Sequence, residues 1–154
     1  MKAVVEHEVE INRSAEDVFD YCSDPSTEPQ WNPQMNSCEK LTDGPLGVGA
    51  RYRIVIKGKP MIVECIRFGR PKTWSTRSES PLMKAGLDGR VVPTSHGARV
   101  SMRMWIEPRG LAGLAAPLIR LLLKPAWRRD LANIKFILDS PHPAQKPGPA
   151  ANRR

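Results

Sequence analysis

The sequence predicts an α+β domain in which a curved antiparallel sheet wraps a long C-terminal helix, with two short helices after the first strand. Three observations carry this. From Ala3 to Ile11, apolar residues alternate with acidic ones at period two. From Met35 to Ile106, short strand-like runs follow one another, separated by Gly- and Pro-containing turns. After Gly110 the apolar spacing changes to i, i+3, i+4 and stays helical as far as Leu138.

In the first strand Val5, His7, Val9 and Ile11 fall on one face and Glu6, Glu8 and Glu10 on the other, the pattern of a half-buried strand. Ser14, followed three positions later by Asp17, is helix-start chemistry: a capping hydroxyl, then acids near the positive helix end. Ala15, Val18, Phe19 and Cys22 recur at helical spacing until Asp24-Pro25 stops the helix. Pro29 to Pro33, around Trp31, reads as irregular or as one short turn.

The strands then come in sequence. Met35–Leu41 precedes the turn Asp43-Gly44-Pro45-Leu46-Gly47. Ala50–Lys57 alternates, with Tyr52, Ile54 and Ile56 opposite Arg51, Arg53 and Lys57. Lys57-Gly58-Lys59-Pro60 connects it to Met61–Phe68 as a hairpin. Lys72–Ser80, Met83–Val92 and Arg99–Ile106 follow, giving about seven strands with the first. Consecutive strands joined by short turns form a meander, without βαβ crossovers.

Leu111, Leu114, Leu118, Leu121, Leu122, Leu131, Ile134 and Leu138 define a helix of about thirty residues at helical period. Pro117 and Pro125 lie inside it, and each removes a helix hydrogen bond and clashes one turn back. A kink or break is expected, at Pro125 rather than Pro117 because Gly113 relieves the clash there. The domain spans residues 1–139; residues 140–154, rich in Pro, Ala and basic residues, are expected to be a disordered tail.

The formal net charge is +8, of which Lys146, Arg153 and Arg154 account for three, leaving +5 on the domain. Basic residues gather at Arg51, Arg53, Lys57 and Lys59, and again at Arg120, Lys124, Arg128 and Arg129. Without interleaved aromatic residues these do not read as a nucleic-acid surface. They read as solvated faces, with transient contact to an anionic membrane surface as the alternative. Three cysteines, Cys22, Cys38 and Cys65, with no paired spacing argue against a disulfide framework and against zinc. The N-terminal run MKAVVEHEVEI is too acidic for a signal peptide, and no apolar run approaches the ~20 residues of a membrane span. A cytoplasmic location is therefore expected. The glycines around Gly47 lack the Lys-Ser/Thr of a phosphate loop, no nucleophile elbow is present, and the scattered His7, His96 and His142 do not make a metal site. No cofactor is expected.

Several short pieces, in order, resemble one family: Ile11-x-x-Ser14 with Val18, Phe19 and Tyr21; Trp31-x-Pro33; Leu46-Gly47-Val48-Gly49; Gly89 to Pro93; Gly97-Ala98-Arg99-Val100; Glu107-Pro108-Arg109-Gly110; and Leu131-x-Asn133-Ile134-Lys135. Together they resemble the polyketide cyclase/dehydrase-like branch of the START and Bet v 1-like (helix-grip, SRPBCC) superfamily. The resemblance covers residues 1 to about 139 and implies a cavity between sheet and helix that holds an apolar molecule such as a lipid or polyketide. Some members are cyclases and others only bind, so it speaks to fold more than to activity.

On that expectation Tyr52, Ile54, Met61, Val63, Met83, Leu87, Met102 and Met104 wall the pocket from the strands, facing Leu114, Leu118 and Leu122 of the helix. The other reading of the same residues is a filled core. Trp74 is added from its strand, and Trp31 either closes the entrance or anchors the short helix. His7 either orients a ligand or acts as a general base, or is a satisfied core histidine or one near the sheet rim. His7 and Tyr52 are the catalytic candidates should the chain be a cyclase or dehydratase, because such chemistry needs pocket-facing proton donors and acceptors.

Overall fold

The computed structural model describes residues 1–141. Strand β1 (Ala3–Ile11) leads to helix α1 (Ala15–Cys22), a 3₁₀ turn (Pro25–Thr27) and the one-turn helix α2 (Glu28–Trp31). Six strands follow: β2 (Met35–Lys40), β3 (Arg51–Ile56), β4 (Lys59–Gly69), β5 (Thr73–Glu79), β6 (Met83–Thr94) and β7 (Gly97–Pro108). A second 3₁₀ turn (Gly110–Ala115) enters helix α3 (Ala116–Asp139). The seven strands form one antiparallel sheet in the order β1-β7-β6-β5-β4-β3-β2, the predicted meander with β1 added at the far edge. The expectation for the tail falls, from residue 142 on, outside the described residues.

Local chemistry places each junction. Ser14 Oγ accepts from the Asp17 N–H at 3.2 Å and caps α1, with Glu16 and Asp17 in the first turn. The β3–β4 hairpin turns through Lys57 (φ 49°) and Gly58 (φ 75°); two successive positive φ values suit the right-handed strand twist, and glycine takes the second without strain. Register shifts between Met35 and Ser37 and between Cys65 and Arg67 mark bulges that increase the curl.

Helix α3 is not broken where expected. Pro117 sits in its first turn, where no N–H bond is required, and the helix runs through Pro125 without interruption. The residues before Ala116, expected to be helical from Leu111, form the 3₁₀ turn instead. The far end of α3 is tied to β1. Asn12 N–H donates to Asp139 Oδ1 at 2.8 Å, and Arg13 donates to the carbonyls of Leu138 (2.7 Å) and Ser140 (3.0 Å), occupying acceptors a helix end leaves open.

The core has two parts. The larger joins β1, α1, β7 and the second half of α3 through Ile11, Val18, Phe19, Val100, Leu131 and Ile134. Phe19 stands edge-on to Phe68 (5.3 Å) and to Trp74 (5.5 Å), a favoured aromatic geometry. The smaller holds Met35, Ala50, Tyr52, Ile54 and Cys65 on β2–β4. Phe68 touches both clusters, and the sheet's curl leaves a space between them.

Candidate functional site

That space is a cavity of about 110 Å³. Its walls come from inward positions of successive strands: Ile54 on β3, Met61 and Val63 on β4, Trp74 and Thr76 on β5, Leu87 on β6, Met104 on β7. Period-two alternation turns these side chains to the concave face. Trp74 can lie flat across β6 only because position 89 is glycine; a Cβ there would come within 2.1 Å of the indole ring. The roof comes from the chain between α1 and α2 and from α3: Cys22, Ser23, Asp24, Glu28, Trp31 and Trp127.

The walls are mainly apolar and the roof is polar. Trp31 and Trp127 meet edge-to-face at 6.3 Å, and Trp127 Nε1–H donates to the Met102 carbonyl at 3.1 Å. Trp31 Nε1 and Ser23 Oγ are buried and have no hydrogen-bond partner among the described residues. Such groups are rare in native proteins, because an unmade bond costs the full desolvation of the atom. Asp24 Oδ1 accepts from both the Ser26 N–H (2.9 Å) and the Ser26 hydroxyl (2.7 Å).

Glu28 is the roof carboxyl whose protonation is most shifted by its surroundings. Desolvation pushes its carboxyl up to about 7; the Asn32 amide, donating at 3.0 Å, opposes the shift, and the Asp130 charge adds to it. Asp130, buried on α3, is itself raised by desolvation, held back by Arg129 at 3.0 Å. Near neutrality Glu28 therefore exists in both protonation states and can give or take a proton. The Cys22 thiol is pushed by burial up to about 12, so it stays a neutral thiol and not a nucleophile.

The residues proposed from sequence divide into two groups. Trp31, Ile54, Met61, Val63, Trp74, Leu87 and Met104 line the cavity. His7 lies on β1 opposite Met102, at the edge where α3 packs, away from the cavity wall. Tyr52 is buried in the smaller cluster, where desolvation pushes its phenol up to about 12. Met102 is fully buried in the larger cluster, and Met83 begins β6 opposite Pro108 at the sheet's end. Leu114, Leu118 and Leu122 correct the expectation most sharply. They are 76%, 58% and 67% exposed, because α3 turns Trp127, Leu131 and Ile134 to the sheet instead. Ser23 and Glu28 were not found from sequence; their segment has no periodicity, and its two prolines signal only irregular chain.

Among the described residues no helix is long and apolar enough to cross a membrane, and no cluster of His, Cys, Asp and Glu could hold a metal ion. No curated protein matches the sequence. Among solved structures, a START superfamily protein from Mycobacterium smegmatis superposes with a TM-score of 0.73 at 18% identity, covering 88% of this chain and 97% of that one. Ara h 8.0201 superposes with a TM-score of 0.68 at 14% identity, covering 92% and 100%. The di-domain ARO/CYC StfQ from the steffimycin biosynthetic pathway superposes at 0.71 with 11% identity, covering 90% of this chain and 51% of that one. At such identities these likenesses establish the helix-grip fold and nothing finer. The sequence itself matches, over residues 2–137, the family described as polyketide cyclase / dehydrase and lipid transport, and the chain belongs to that family.

Proposed function

We propose that the protein binds a hydrophobic small molecule in the cavity between the sheet and the α1–α3 roof, orienting it through an oxygen held by Trp31 Nε1 or Ser23 Oγ. One observation carries this: two buried polar atoms without partners among the described residues belong to residues in the roof of a cavity whose walls are mainly apolar. A ligand oxygen reaching either atom would satisfy it, and the walls would contribute ~25 cal/mol per Å² of apolar surface covered, before the costs of association. A space of about 110 Å³ takes a ring-sized group. Typical ligand sites are ~300–1,000 Å³. A larger molecule therefore enters by displacing wall side chains, of which Met61 and Met104 are the most adaptable. Native mass spectrometry and calorimetry against fatty acids, phenols and aromatic ketones test the reading. Oxygen-bearing apolar compounds should bind, and matched hydrocarbons should bind more weakly. If no member of the panel binds, the reading fails.

Glu28 supports a second reading, a cyclase or dehydratase in which its carboxyl moves a proton on a poly-ketone substrate. A residue titrating near 7 inside the cavity suits that role. Glu28→Gln should then lower turnover of a poly-β-ketone thioester by about 100-fold or more while preserving binding. Equal rates in the two proteins would rule the enzyme reading out.

A further inference from the structure

Helix α3 has two apolar faces. At 3.6 residues per turn, Ala116, Leu123, Trp127, Leu131 and Ile134 share one side, and that side is buried or partly buried against the sheet. Leu118, Leu121 and Leu122 lie on the opposite side. With Leu111 and Leu114 of the preceding 3₁₀ turn they are 58–87% exposed. Leu82, 80% exposed on the β5–β6 turn, lies close to the start of that 3₁₀ turn, where its carbonyl accepts from the Arg109 N–H at 2.9 Å. Exposed leucines scattered singly need no explanation; a continuous ridge marks a contact surface.

The charge of the segment identifies what the ridge contacts. Between Pro108 and Arg129 the sequence has Arg109, Arg120, Lys124, Arg128 and Arg129 and no acid. Arg120, Lys124 and Arg128, all exposed, recur every fourth residue as an oblique row that winds along the flank of α3 and reaches the azimuth of Leu121 at Arg128. Arg129 and Arg109 are engaged with Asp130 and Glu79, whereas the three of the row make no ion pair among the described residues. A two-fold contact between copies would bring this row up against its own image, since such interfaces pair a patch with itself. An anionic lipid surface complements both parts: the leucines enter the acyl boundary and the cations meet the headgroups.

We infer that the ridge of Leu82, Leu111, Leu114, Leu118, Leu121 and Leu122, with the Arg120-Lys124-Arg128 row, docks the protein on anionic membranes. This rests on exposure and charge alone, independently of what the cavity binds.

The test is co-sedimentation of the full chain with vesicles of phosphatidylcholine containing about 30% phosphatidylserine, and with phosphatidylcholine alone. Binding to the anionic vesicles is expected, at least about 10-fold stronger than to the neutral ones and released as salt rises from about 0.1 to about 0.5 M. The triple variant Arg120→Gln/Lys124→Gln/Arg128→Gln should bind on the order of 100-fold more weakly. The triple variant Leu114→Ser/Leu118→Ser/Leu121→Ser should also lose binding with an unchanged circular-dichroism spectrum, since its positions are exposed. Absence of binding to anionic vesicles overturns the inference. So does undiminished binding by the leucine variant, which would reduce the contact to simple charge attraction. A wild-type dimer that the leucine variant converts to a monomer, without lipid binding by either, assigns the ridge to self-association and equally overturns it.

Discussion

Replacing Ser23 by alanine separates stability from binding. The Ser23 hydroxyl is buried without a partner among the described residues, while its backbone N–H donates to the Phe19 carbonyl at 2.9 Å and ends α1. Ser23→Ala leaves the backbone bond in place and deletes only the orphaned hydroxyl. Leaving a buried polar group unsatisfied costs about 1–3 kcal/mol, so its removal should stabilise the ligand-free protein by about 1 kcal/mol. In a domain of this size that is a rise in Tm of about 2–4 °C. In urea the midpoint should rise by about 0.5 M, with an unchanged slope reporting the same folded surface. The same variant should weaken an oxygen-bearing ligand by about 5- to 10-fold, the worth of one hydrogen bond. Urea unfolding of the ligand-free protein and calorimetry of the ligand supply the two halves. A variant less stable than the wild type would show that the folded protein already satisfies the hydroxyl, and the case for a ligand oxygen at Ser23 would collapse.

Glu28 predicts a pH dependence with a definite sign. Burial pushes its carboxyl up to about 7 in the folded state from its ordinary 4.5, so between those values the folded state holds more protons and stability falls as pH rises, by up to about 3 kcal/mol. Glu28→Gln should flatten most of that slope in urea titrations from pH 5 to about 8, leaving the part due to Asp130, which is raised in the same direction; an undiminished slope would locate the effect elsewhere. Gly89→Ala places a methyl group within 2.1 Å of the Trp74 ring, and should cost about 1–3 kcal/mol, shift tryptophan emission and weaken ligand binding as the indole is driven toward the cavity; a neutral substitution would show that the ring is free to move. Amides of residues 118–124 should exchange with solvent at least about 10-fold faster than those of 128–137, because the first half of α3 buries only Ala116 and the second half buries Trp127, Leu131 and Ile134; uniform protection along α3 would refute that division.

The fold was legible because its signals are local. Alternation in β1 and β3, the Lys57-Gly58 turn and the change of period at Gly110 each depend on neighbouring residues, and together they specify a meander ending in a helix. The cavity walls were legible to the extent that period two identifies inward positions, as for Ile54, Met61, Val63 and Leu87. Periodicity does not say which inward residues meet which. Tyr52 and Met102 both point inward, but the curl of the sheet encloses one in each core cluster and leaves the cavity between them. The roof was hidden for a further reason. Glu28 acquires its chemistry from burial beneath α3 and from Asp130, about a hundred positions along the chain, and no local pattern encodes that meeting.

The α3 leucines show where a periodic signal misleads. A run such as Leu118, Leu121 and Leu122 normally marks the face a helix buries, and burying each leucine is worth about 1.5–3 kcal/mol. Here a second stripe, through Ala116, Trp127, Leu131 and Ile134, competes for the sheet and prevails. Trp127 is buried and donates to the Met102 carbonyl, and Asn133 on the same half of the helix donates to the Trp31 carbonyl at 2.9 Å. These contacts fix the rotation of the whole helix, since Pro125 does not break it. The leucines are thereby committed to the outside. Rotating the helix to bury them would cost the Trp127 and Asn133 contacts and open the cavity roof, so the exposed ridge and the ligand cavity follow from one orientation of α3.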